Sequence, residues 1–228
     1  MADIFCKKDA LQLLQNRFIL IIGDSNTRAL YNDLIYLLHE NDVTSPAVFR
    51  KHSNKNVKVK EVDKVVKQND VRNATRNLQE IREYWGANGV RVRFCFVTRV
   101  MGQQMLWQLN EMERGDIPCP DIILLNSCVW DITRWGAMME DTYKQQLVQV
   151  FTRLRQLVHP DTLVMWATTL PVAENLVRGG LLIKQLDFIQ KNIRFMALEA
   201  NLFVSELCKL FCFDIVDLHY HMRFQLSR

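Results

Sequence analysis

Phe18-Ile19-Leu20-Ile21-Ile22-Gly23-Asp24-Ser25-Asn26-Thr27-Arg28 is the stretch on which the fold turns. Five apolar residues rich in isoleucine read as a buried strand, and the run stops abruptly at Gly23. A helical pattern begins at once, with Leu30, Leu34, Leu37 and Leu38 at helical spacing. Such a junction places Ser25 at the carboxyl end of a strand and in the first turn of a helix. Open α/β sheets bind ligands at that edge. The free N–H groups and positive dipole end of the helix favour negative charge there. A serine so placed can attack an acyl carbon once a base removes its proton. Serine is also a favoured helix cap, so position alone leaves nucleophile and cap both open. A phosphate loop is disfavoured, because no GxxxxGK pattern is present.

Working outward, four more apolar runs recur: Val92–Val97, Ile122–Leu125, Leu163–Ala167 and Phe213–Val216. Apart from Arg93 and Asp214, each is apolar rather than alternating, which suits strands covered on both faces of a parallel sheet. Leu147, Val150, Phe151, Leu154 and Leu157 form a second helical stripe, and a third pattern runs from about Leu181 to Leu210. This strand–helix alternation predicts a three-layer α/β domain. One domain over 1–228 is expected from the length. Two regions break the alternation. Residues 41–73 form a polar, basic insertion, read as a solvated excursion because Glu61 and Asp63 intersperse its lysines. Gly179-Gly180 marks the second break.

Composition narrows the function classes. The chain has 228 residues, 49% apolar and 24% charged, with a net charge of +4. That excess is too small and too dispersed for a nucleic-acid footprint, so no nucleic-acid partner is expected. No segment approaches the roughly 20 apolar residues of a membrane span. Asp9, Gln12, Gln15 and Asn16 interrupt the N-terminal apolar residues, so no secretory leader is expected. Cytoplasmic or nuclear residence follows as the expectation, with the six cysteines reduced. Those cysteines carry no CxxC spacing, so neither a metal nor a cofactor is expected.

Gly23-Asp24-Ser25-Asn26-Thr27-Arg28 resembles the GDSxxR block of the PC-esterase branch of the GDSL/SGNH hydrolases. Four further blocks follow in family order. They are Ala29–Leu34 with Arg17-Phe18 before it, Val92-Arg93-Phe94 through Val100, Asn126–Ile132 with Arg134, and Phe213–His221. The resemblance implies an SGNH fold: a flavodoxin-like, parallel sheet of about five strands in an α/β/α sandwich. It implies a serine ester hydrolase acting on a small ester substrate, with Ser25 as nucleophile. Asn126, at the end of the apolar run 122–125, takes the oxyanion-hole role, against the alternative of an asparagine closing a loop. Gly102 is the candidate for the glycine N–H donor, against a plain turn residue. The Ser25 N–H is a third donor. Trp130 and Trp135 are candidates for walls of an acyl pocket, with core packing the alternative.

The base is where the chain departs from the pattern. The family's Asp-x-x-His pair, seen as Asp-Gly-x-His-Trp, has no counterpart here, and a terminal helix that follows it is expected to be missing. Part of one sheet face would then stay uncovered. His39, His52 and His159 lie on segments away from the expected edge. If the last strand continues past Val216, then Asp217, His219 and His221 share one face, with Asp217 orienting His219 as a candidate base. Two readings of function remain: an esterase-like hydrolase with an imperfect or absent base, and a catalytically silent, truncated paralogue acting by binding, its protein partners open. A flavodoxin-like cofactor binder ranks below both for want of a glycine-rich loop.

Overall fold

The computed structural model describes residues 5–40, 62–69, 78–135, 140–172 and 188–224. Seven strands form one sheet: β1 (Phe18–Gly23), β2 (Asp63–Gln68), β3 (Glu80–Trp85), β4 (Arg91–Phe96), β5 (Ile122–Leu125), β6 (Leu163–Ala167) and β7 (Asp214–Val216). Their spatial order is β2-β3-β4-β1-β5-β6-β7. The run β4-β1-β5-β6-β7 is parallel throughout. Counted among themselves, these five strands follow the order 2-1-3-4-5 of a flavodoxin-like sheet. They coincide with the five mainly apolar runs of the sequence.

β2 and β3 extend the sheet beyond five strands, and both are antiparallel. Of the 41–73 insertion, Asp63–Gln68 is therefore an edge strand rather than part of a loose excursion. The rest of that insertion, apart from Val62 and Asn69, lies outside the described residues, as does Gly179-Gly180. These two strands escape an apolar-run search because most of β2 is exposed and charged Asp63 and Glu80 take buried positions beside Ile81 and Tyr84. Arg82 contacts Asp63 at 2.5 Å and Glu80 at 3.5 Å, and Tyr31 Oη donates to Asp63 at 2.6 Å.

Helices flank the sheet on both sides. α1 (Lys7–Leu13) and α2 (Ser25–Glu40) cover the face bearing Ile19, Ile21, Phe94 and Phe96. α3 (Gln103–Arg114), α4 (Glu140–Leu157) and α5 (Ile193–Phe211) cover the face bearing Leu20, Ile22, Ile123, Leu125, Val164 and Trp166. β1 thus divides its alternate side chains between two cores, which explains its unbroken hydrophobicity. On α2 the buried face is Thr27, Tyr31, Ile35 and Leu38, with Leu30 turned outward. On α4, Leu147, Val150, Phe151 and Leu154 are fully buried, as their spacing predicts. Among the described residues, the α1/α2 face is incompletely covered at β5 and β6. There Leu163 is 40% exposed, and Ile122, Leu124 and Met165 are half-buried.

Candidate functional site

β1 lies between β4 and β5, so three strand ends converge on Ser25. Gly23 is level with Phe96, Val97 N–H donates to Gly23 O at 2.9 Å, and Asn126 N–H donates to Ile22 O at 2.9 Å. The turn itself tolerates only glycine at position 23, because a Cβ there would lie 2.6 Å from Thr27 Cβ. Asp24 caps α2. Its carbonyl accepts the Arg28 N–H at 2.9 Å, and its Oδ1 accepts from Asn26 N at 2.8 Å and Thr27 N at 3.4 Å. Burial raises the Asp24 pKa against the lowering effect of those hydrogen bonds. The cap is therefore Asp24, and Ser25 is left exposed with no hydrogen bond to its hydroxyl among the described residues. Of the two roles open to Ser25, capping is already filled.

Asn126 follows β5 on the strand next to β1. Its Nδ2 donates to Ala167 O at 2.8 Å, which ties the amide to β6 and leaves Nδ2 with a second hydrogen. Gly102 caps α3, and its own N–H donates to Arg99 O at 3.1 Å. The turn role describes Gly102 as it stands; donation to an oxyanion would require this turn to open. Trp130 is half-buried under the Arg134 guanidinium, 5.5 Å from its ring, and the Trp135 side chain lies outside the described residues.

The loops carrying these residues are cross-linked by groups that sequence reasoning missed. Buried Asp131 accepts from Val100 N at 2.9 Å and from Ser127 Oγ. Burial pushes its carboxyl up to about 6. The Ser127 carbonyl accepts from Tyr143 Oη and Thr169 Oγ1, both at 3.3 Å. Cys128 is buried with φ of 152°, a left-handed-side conformation costing roughly 1–3 kcal/mol in a non-glycine residue. Burial also pushes its thiol up to about 12, so it is no nucleophile at neutral pH. Asn201, a polar residue on the buried stripe of α5, exchanges hydrogen bonds with the Thr169 backbone at 2.9 and 3.0 Å. A lone Asn amid Ala197, Ala200, Val204 and Cys208 was the signal available for it.

At the last strand the expectation of an extended β7 is corrected. β7 ends at Val216, and α6 (Leu218–Met222) begins behind Asp217 as its N-cap. Asp217 Oδ1 accepts from Tyr220 N at 3.0 Å and Thr168 Oγ1 at 3.0 Å, which turns the chain into the helix. Residues 217, 219 and 221 consequently do not share a strand face. The His219 ring meets a different partner: Nδ1 lies 2.8 Å from Thr169 O and 3.2 Å from Asn201 Nδ2. A carbonyl only accepts, so Nδ1 is assigned the hydrogen and Nε2 the lone pair. His221 is exposed and stacks edge-on with Tyr220. His39 ends α2 and His159 precedes β6, both at the opposite sheet edge, and His52 lies outside the described residues. None of the described histidines hydrogen-bonds Ser25.

A small cleft of about 50 Å³ is lined by Lys67, Glu80, Ile81, Phe96, Gln104 and Trp107. Arg28, one helical turn beyond Ser25, pairs with Glu80 at 2.6 Å and lies 5.3 Å from the Phe96 ring. Lys67 stands 4.7 Å over Trp107. Among the described residues no three His, Cys, Asp or Glu side chains gather as a metal site, and no helix is long and apolar enough to cross a membrane.

A flavodoxin-like parallel sheet with Gly-Asp-Ser on the strand-to-helix turn of its central strand defines a protein of the SGNH hydrolase fold. The chain is a homologue of the PC-esterase domain-containing proteins. It is 31% identical over 220 residues to human PC-esterase domain-containing protein 1A, covering 96% of this chain and 48% of that one. With human PC-esterase domain-containing protein 1B it shares 33% identity over 217 residues, covering 93% and 48%. It thus spans about half the length of the curated relatives it matches. No family model matches the chain. A solved lipolytic protein of the G-D-S-L family from Veillonella parvula overlays at a TM-score of 0.46 and 12% identity, covering 92% of this chain and 84% of that one. That overlay is too loose to add to the strand order.

Proposed function

We propose that this chain is an esterase-like hydrolase domain in which Ser25 is the nucleophile for a small ester. The observation that carries this reading is the division of labour at the turn: Asp24 holds the cap, and the Ser25 hydroxyl is exposed at the helix dipole end. In the reaction Ser25 Oγ attacks the acyl carbon and gives its proton to a base, which passes it to the departing alcohol. Water then attacks the acyl-serine and releases the acid. The Ser25 N–H, an orphan donor of the first helical turn, and the second hydrogen of Asn126 Nδ2 receive the oxyanion.

His219 is the candidate base on this edge, since its Nε2 keeps the lone pair. Its orienter is the neutral Thr169 carbonyl, because Asp217 is committed to the cap of α6. A carbonyl fixes the tautomer but stabilises an imidazolium less than a carboxylate does. β7 also stands three strands from β1, roughly 14 Å at about 4.8 Å per strand. These two features favour the second reading, a catalytically silent domain that binds rather than hydrolyses. Hydrolysis of a short aryl acetate separates them. Turnover lost in Ser25→Ala supports the hydrolase; turnover equal in Ser25→Ala and wild type defeats it.

A further inference from the structure

We infer that Asp131 is a positioning residue for this site, its one carboxylate locking together the two loops that flank the Ser25 turn. The inference rests on the reading of Ser25 and Asn126 as the reacting groups. One loop leaves β4 after Phe96 and carries Val100; the other leaves β5 after Leu125 and carries Asn126, Ser127 and Cys128. Because β4 and β5 lie on either side of β1, the loops have no ladder contact with each other. Asp131 supplies the link. Oδ1 takes the Val100 N–H at 2.9 Å, and Oδ2 takes the Ser127 hydroxyl, one residue from Asn126.

The second loop is held from further directions. Ile132 N–H donates to Cys128 O at 2.9 Å, and the Ser127 carbonyl is gripped by Tyr143 and Thr169. These bonds keep Cys128 at its unusual φ of 152°. A carboxylate 6% exposed is an expensive way to stabilise a loop, since an apolar side chain of similar volume avoids its desolvation. It is a good way to fix the distance between two loops, because it accepts from both with defined geometry. Rule-breaking residues that gain no stability are expected at functional positions. The placement of Asn126 relative to Ser25 thus depends on a side chain that touches neither substrate nor nucleophile.

Three variants test this by the rate at which a fluorophosphonate labels Ser25. Asp131→Ala removes both acceptors and is expected to lower that rate at least 100-fold. Asp131→Asn keeps the Val100 acceptor and presents its amide to Ser127 Oγ, and it is expected to stay within tenfold of wild type. Where ester turnover is measurable, the loss in Asp131→Ala falls on kcat with KM little changed, as for an interaction made in the transition state. Amide exchange adds a readout without chemistry: protection in 97–102 and 126–132 is lost together in Asp131→Ala, while β1 and β4 stay protected. If Asp131→Ala does not fold, Ser127→Ala carries the test, with labelling expected to fall at least tenfold. Folded Asp131→Ala, or Ser127→Ala in its place, labelled within threefold of wild type overturns the inference and leaves the proposed function standing. Wild type that is never labelled overturns the proposed function, and this inference with it.

Discussion

The chain makes the same junction twice, at β1 and at β7, with opposite consequences. Each time a strand ends, an aspartate caps, and a helix begins: Asp24 before α2, and Asp217 before α6. At the first junction the strand is central and the helix has 16 residues, burying Thr27, Tyr31, Ile35 and Leu38. At the second the strand is at the edge and the helix has five residues, none of them buried. The local chemistry is shared, and burial separates the two. Capping by Asp24 frees Ser25 at a rigid, well-packed turn. Capping by Asp217 engages the carboxylate that the sequence offered as the orienter of His219.

The largest effect that would break this comparison is at Gly23. Gly23→Val is expected to cost about 3 kcal/mol, at the upper end of overpacking, because its side chain meets Thr27 at a buried turn; urea unfolding measures it. Asp131, the third aspartate of this edge, gives a pH signature of similar size. Its folded pKa of about 6 lies above the ordinary value of 3.8, so the folded state holds the proton more tightly. The stability this contributes is complete below pH 3.8 and is lost as pH rises through 6. Relative to wild type, Asp131→Asn is expected to gain stability from pH 4 to pH 7 by up to about 3 kcal/mol. A flat difference across that range would remove the buried carboxylate from the account.

Asp24→Ala comes next, with about 1–2 kcal/mol lost with the cap and Ser25 reactivity reduced as the turn frays. Asp217→Ala should be the mildest, about 0.5–1 kcal/mol, with Ser25 labelling reduced less than in Asp24→Ala. If Asp217→Ala reduces labelling as strongly as Asp24→Ala does, the two junctions are functionally alike and the contrast fails.

The same contrast explains what the sequence made legible. The five parallel strands stand out because each reads as a mainly apolar run, and β1, covered on both faces, reads as an unbroken one. β2 and β3 hide because β2 is otherwise exposed and because buried Asp63 and Glu80 pair with half-buried Arg82. Ser25 is legible from its strand-to-helix placement, yet Asp24 and Ser25 are both good caps, and only coordinates show which one serves. Asp217 and His219 alternate as they would in a strand, but hydrogen bonds from Tyr220 N and Thr168 Oγ1 to Asp217 turn that segment into a helix. Asp131 reads as any polar residue near Trp130. Its partner Val100 lies 31 residues away, and no local pattern joins them.

Fluorophosphonate labelling of the folded protein, with Ser25→Ala as the control, tests the central claim most directly. The expected result is covalent labelling that maps to Ser25 and vanishes in Ser25→Ala, since an ordinary cap or surface serine does not react. Absence of Ser25-dependent labelling in folded wild type would contradict the account, leaving a hydrolase fold whose serine is inert.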